Sequence, residues 1–137
     1  MTTLFFDASV LLAAFDSEDE NHRPARLLLE DPSFTLATVD LIRYEATDVA
    51  IRAWRSPDWV TTLLAAIDRI GADGGVIAST GSLLARAAEL AEEHGISVYD
   101  ATYVAAAADS GRNLVSCDQR DLVSRDLAVL PAQALSA

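Results

Sequence analysis

Four carboxylates stand where their types and surroundings could hold a hard metal ion. Asp7 ends the apolar run Leu4-Phe5-Phe6, and Asp118 ends Leu114-Val115-Ser116-Cys117. Asp100 opens an alanine-rich stretch, and Glu45 interrupts an apolar stripe. Most of them have a plain structural role open to them. Asp7 and Asp118 can end a strand and cap a helix or turn after it, with Asp121 complementing a helix dipole three residues after Asp118. Ser97 and Asp100 have capping-box spacing, although Glu or Gln is the usual later partner. Glu45 resists such an account. It lies four residues after Leu41 and four before Val49, and neither Arg43 nor Arg52 stands three or four residues away to pair with it along a helix. A carboxylate on an apolar stripe must be paired, coordinated or at the stripe's edge, because burying it alone is costly.

Brought together, such acids raise one another's pKa and oppose folding unless a cation intervenes. Mg2+ or Mn2+ is the natural occupant of an all-oxygen site, and such an ion can activate water and stabilise charge building on a phosphodiester. Zinc is disfavoured. His22 and His94 are isolated, Cys117 is the lone cysteine, and no metal-ligand spacing appears. Both histidines read as surface positions.

The elements that must position these acids alternate in type. Leu4–Phe6 reads as a buried strand, followed by a helix capped by Ser9 that carries Val10, Leu11 and Phe15. Asp16–Glu20 reads as a solvated loop, and Pro24 suits the first turn of a helix through Leu29, stopped before Pro32. Phe34–Ala37 is the second strand. Apolar residues at spacings of three and four predict helices over Val39–Trp54 and Trp59–Ile70. Gly71–Gly75 is a flexible connection, Val76–Ala78 a third strand, and Thr80–Glu93 an amphipathic helix stopped by Gly95. An alanine-rich helix spans Tyr99–Ala108. Asn113–Cys117 is a fourth strand and Ala128–Leu130 an edge strand. Strands alternating with helices imply right-handed crossovers and a parallel sheet covered on both faces. Sites in such sheets lie beyond the carboxyl ends of the strands, which is where Asp7 and Asp118 fall.

Bulk properties bound the reading. The chain has 137 residues, of which 51% are hydrophobic and 23% charged, enough for one core and no more. A lone cysteine fits a reducing cytoplasm. The opening Met-Thr-Thr lacks a basic region, so no signal peptide is expected, and no apolar run approaches the ~20 residues of a membrane span. The formal net charge is −11: 21 acids stand against 10 arginines, with no lysine. Nucleic-acid binders normally meet phosphate with basic side chains, so either the chain binds none, or part of its acidity is a metal site that changes local sign once loaded.

The ordered set of motifs resembles the PIN-domain ribonucleases and, within them, the VapC-type toxins of bacterial toxin–antitoxin pairs. Leu4-Phe5-Phe6-Asp7-Ala8-Ser9-Val10-Leu11 is similar to the family's opening strand and first acid, and Tyr44-Glu45-Ala46 to the helix of the second acid. Tyr99-Asp100-Ala101-Thr102-Tyr103-Val104-Ala105 resembles the third-acid helix, and Asn113-Leu114-Val115-Ser116-Cys117-Asp118 the last motif, with Asp121 as an auxiliary acid. The resemblance implies a three-layer α/β/α sandwich with a mostly parallel sheet of four to five strands, formed by residues 1–137 as one domain. It implies an endoribonuclease dependent on Mg2+ or Mn2+, a homodimer, and a VapB-like protein antitoxin as partner. Asp7, Glu45, Asp100 and Asp118 would bind the metal, and Ser9 and Ser116 would orient them. Ser116 stands where Thr is frequent, a change that keeps the hydroxyl. Arg112, Arg120 and Arg125, near the last motif, would contact RNA phosphates, although each also fits an ordinary solvated arginine.

Two other α/β readings compete, one of them enzymatic. A phosphate-ester hydrolase with a nucleophilic Asp after its first strand would want a second Asp two residues on, where Ser9 stands. A receiver-like domain would want a late lysine, and there is none. A non-catalytic binding module of the same fold is the third alternative.

Overall fold

Leu4, Phe5 and Phe6 are buried although successive side chains of a strand point to opposite faces, so this segment must be covered on both sides. A computed structural model, which describes residues 2–136, places it at the centre of a sheet. The strands are β1 (Thr2–Phe6), β2 (Phe34–Val39), β3 (Val76–Ile77), β4 (Leu114–Val115) and β5 (Ala128–Val129), in the spatial order β3-β2-β1-β4-β5 with every pairing parallel. Phe5 lies opposite Ala37 of β2, and Phe6 opposite Val115 of β4.

The helices are α1 (Ala8–Phe15), α2 (His22–Glu30), α3 (Leu41–Arg52), α4 (Pro57–Ala72), α5 (Gly81–His94), α6 (Val98–Asp109) and α7 (Pro131–Ser136). The chain steps from β1 outward to β2 and β3, then crosses back to β4 and β5. Right-handed crossovers put α1–α4 on one face and α5–α6 on the other, the expected three-layer sandwich. Ala101 and Ala105–Ala107 are almost wholly buried, so α6 lies close against β1, β2 and β4. No helix of the described residues is long and apolar enough to cross a membrane.

Several local expectations are corrected. Asp7, not Ser9, caps α1: its backbone is still extended, and its carboxylate accepts from the Ser9 N–H at 3.0 Å. β4 is two residues long rather than five, and β2 runs to Val39, two residues past the expected end. Gly71 belongs to α4, which leaves a shorter turn before β3. The last helix, α7, is an addition to the expected elements, although Pro131 stands at a first helical position. His22 and His94 are half-buried rather than at the surface, and His22 Nδ1 lies 2.8 Å from the Ala13 carbonyl oxygen.

Candidate metal centre

The progression of strand order reverses between the parallel neighbours β1 and β4, and the crevice beyond their carboxyl ends collects the acids. Asp7 leaves β1 and donates its backbone N–H to the Val115 carbonyl of β4. Two hydroxyls then pin the junction. Ser9 Oγ donates to Asp7 Oδ1 at 2.5 Å and accepts from the Cys117 N–H at 2.8 Å, so one side chain ties α1 to the segment after β4. Ser116 is wholly buried; its Oγ lies 3.3 Å from Ser9 Oγ and accepts from the Asp118 N–H at 3.0 Å. Asp118 Oδ1 in turn accepts from the Asp121 N–H at 3.0 Å. No α-helix succeeds it directly, only a 3-10 helix over Val123–Arg125, so of the two caps open to it Asp118 supplies that of a turn.

Asp100 sits in the first turn of α6, which Ser97 caps by accepting its N–H at 3.0 Å. This turn carries the carboxylate to the loop after β4. Oxygens of Asp100, Asp118 and Asp121 all lie within 4.8 Å of one another, close enough to share one ion. The donor set is all oxygen, and hard cations such as Mg2+ and Mn2+ prefer oxygen. Asp121, expected as an accessory, is therefore a full member of the cluster.

Asp7 stands behind this cluster and is only 5% exposed. Burial pushes its carboxyl up to about 6, with the charge of Asp100 adding to the shift and hydrogen bonds from Ser116 and Ser9 opposing it. Asp100 is raised by burial and then by the neighbouring charges of Asp118 and Asp121. Glu45 is half-buried on α3, beside the buried stripe Ile42, Ala46 and Ala50. Burial and the Asp100 charge raise it, and a hydrogen bond from Tyr103 works the other way.

That partner is missing from any reading of α3 alone. Tyr103, 1% exposed on α6, donates its phenol to Glu45 Oε1 at 2.6 Å. Arg43 and Arg52 are engaged elsewhere, with Asp68 at 2.6 Å and Asp48 at 3.6 Å. Cys117 adjoins the site, but burial pushes its thiol up to about 12, which leaves it protonated and poor as nucleophile or ligand.

The three arginines fare differently. Arg120 is exposed on the loop after Asp118. Arg125 lies 4.0 Å from Asp121 and donates to the His94 carbonyl. Arg112 precedes β4, at the amino end of the strand, and the structure does not bring it to the acids.

A family model for the PIN domain matches residues 4–126. The chain belongs to the PIN-domain family. No curated protein matches the sequence significantly. Among solved structures, this PIN domain is similar to a toxin–antitoxin complex from Klebsiella pneumoniae, with 18% identity, a TM-score of 0.67, and 96% of this chain and 98% of that one covered. It is also similar to VapC20 of Mycobacterium tuberculosis, described as a toxin that cleaves the sarcin–ricin loop, with 23% identity, a TM-score of 0.65 and coverages of 82% and 86%. PAE2754 of Pyrobaculum aerophilum aligns over 99% of this chain and 88% of its own, with 24% identity and a TM-score of 0.68. These likenesses concern the fold of the PIN domain. Its site rests on the geometry above.

Proposed function

We propose that this chain is an endoribonuclease dependent on Mg2+ or Mn2+, the toxin of a VapBC-like toxin–antitoxin pair. The observation that carries the reading is the convergence of Asp100, Asp118 and Asp121 within 4.8 Å at the switch point of a PIN domain, with Asp7 buried behind them. When bound, the ion would lower the pKa of a water and screen charge on the phosphodiester. Asp100, Asp118 and Asp121 hold the cation, and Asp7 and Glu45 complete the negative site from β1 and α3. Ser9 and Ser116 fix Asp7 and the loop of Asp118 in place, the outer-shell task that sets a metal site's geometry. Arg120 is an exposed cation beside the site and serves as a phosphate contact. The loaded ion and this arginine offset an otherwise acidic surface where RNA must approach.

A protein antitoxin is the partner this reading implies, supported by the near-complete alignment with a structure described as a toxin–antitoxin complex. Homodimerisation is assigned to the face where Tyr44, Leu84, Val98 and Tyr99 line one depression, because these large apolar side chains stand 41–76% exposed.

Cleavage of a structured RNA with Mg2+ or Mn2+, and its loss on chelation, tests the reading. Hydrolysis of a small phosphate ester but not RNA would favour the other enzyme class, and no turnover of either would favour a binding module.

A further inference from the structure

Tyr103 has a buried hydroxyl that the proposed chemistry does not use. It stands three residues after Asp100, so both side chains leave the same face of α6 one turn apart. Its phenol donates to Glu45 Oε1 at 2.6 Å across 58 residues of sequence. One side chain therefore joins the carriers of two acids: α6 with Asp100 and α3 with Glu45.

We infer that Tyr103 is a positioning residue that holds Glu45 toward the metal centre without neutralising it. The inference rests on the proposed function and names a part within it. Glu45 reaches the site on a long side chain, and a carboxylate with three free torsions must be immobilised before it can serve as an accurate ligand or water-orienting group. An arginine or lysine would immobilise it equally well, but would cancel its charge and repel a cation. A neutral donor avoids both effects. The phenol occupies Oε1 alone, and no other hydrogen bond engages the Glu45 carboxylate among the described residues, so Oε2 is left for the ion or its water. Ring burial explains why the donor does not wander: Tyr103 is packed in the core and only its hydroxyl reaches the site.

The test is Tyr103→Phe, which keeps the ring and removes the donor, compared with Glu45→Gln and the double variant. Mn2+ affinity of the metal-free protein is read by calorimetry, and RNA cleavage by kcat and KM. The expected result is a folded protein that loses about 10- to 100-fold in Mn2+ affinity or in kcat, the usual effect of removing an outer-shell partner. KM for RNA should hold. Adding Tyr103→Phe to Glu45→Gln should cost little more, since the phenol acts through that carboxylate. Thermal unfolding of metal-free Tyr103→Phe checks that a lost affinity is not a lost fold, since the retained ring keeps the core packing. Wild-type affinity and rate in Tyr103→Phe, with Glu45→Gln impaired, overturn this inference alone. An equal loss from Tyr103→Phe in the Glu45→Gln background overturns it too. Full activity of Glu45→Gln removes Glu45 from the proposed function and Tyr103 with it.

Discussion

Asp7, the cap of α1, and Asp100, in the first turn of α6, answer differently to substitution. Asp100→Asn should abolish RNA cleavage and leave the fold intact. Ser97, not residue 100, supplies the cap of α6, and one carboxylate fewer relieves repulsion in the metal-free cluster. Cleavage and thermal unfolding measured on one preparation check this, and a folded variant that cuts at the wild-type rate removes Asp100 from the site. For Asp7 the readout is pH. Its folded-state pKa is raised from 3.8 to about 6, so the folded protein favours the protonated form. The stability it contributes is complete below about pH 3.8 and lost as pH rises through about 6. Melting curves of metal-free protein should fall across that window. In Asp7→Asn the slope should flatten and the melting temperature at pH 7 should rise by a few degrees.

The elements set how accurately the acids meet. Gly75 lets β3 dock beside β2: a Cβ there would lie 2.2 Å from the Leu36 carbonyl oxygen and 2.8 Å from Ile70 Cγ2. Backbone cannot yield as a side-chain tip can, so Gly75→Ala should cost about 3 kcal/mol by chemical unfolding. The remaining folded fraction should keep the same Mn2+ affinity, since β3 carries none of the acids. Much of this layer is legible in the sequence. The strand–helix alternation, the Gly95 stop and the acids after β1 and β4 all come from local pattern, because each is decided within a few residues. Asp7 and Ser9 are hard to tell apart as caps because both can accept an N–H, and only the backbone's extended turn at Asp7 decides between them. Sequence marks Tyr103 only as part of the third-acid motif, because its bond to Glu45 joins α6 to α3 and no local spacing encodes it. Two-residue strands such as β4 leave almost no periodicity to read, and their limits are set by neighbours. Arg112 is close to the last motif in sequence, but a strand separates them and carries it to the far end.

At the scale of the whole molecule, a net charge of −11 means the metal-free protein repels itself and its proposed substrate alike. Cation binding to the folded state alone should relieve the first effect. At a hundredfold excess over Kd the gain is about 2.7 kcal/mol, several degrees in Tm by differential scanning calorimetry. Asp7→Asn should shrink the gain, and melting curves indifferent to Mg2+ and Mn2+ in wild type would count heavily against a metal site. RNA affinity should rise with the same ions.

The pairing of β1 with β4 has a consequence for biosynthesis. The hydrogen bond from Cys117 to Ser9 closes a loop of 108 residues, and three of the acids, Asp100, Asp118 and Asp121, lie far along the chain from Asp7 and Glu45. A chain still emerging from the ribosome holds Asp7 and Glu45 long before it holds the others. Truncated products, stalled chains and partial translation therefore carry an unassembled centre. The proposed centre is complete only once the fourth strand has paired with the first.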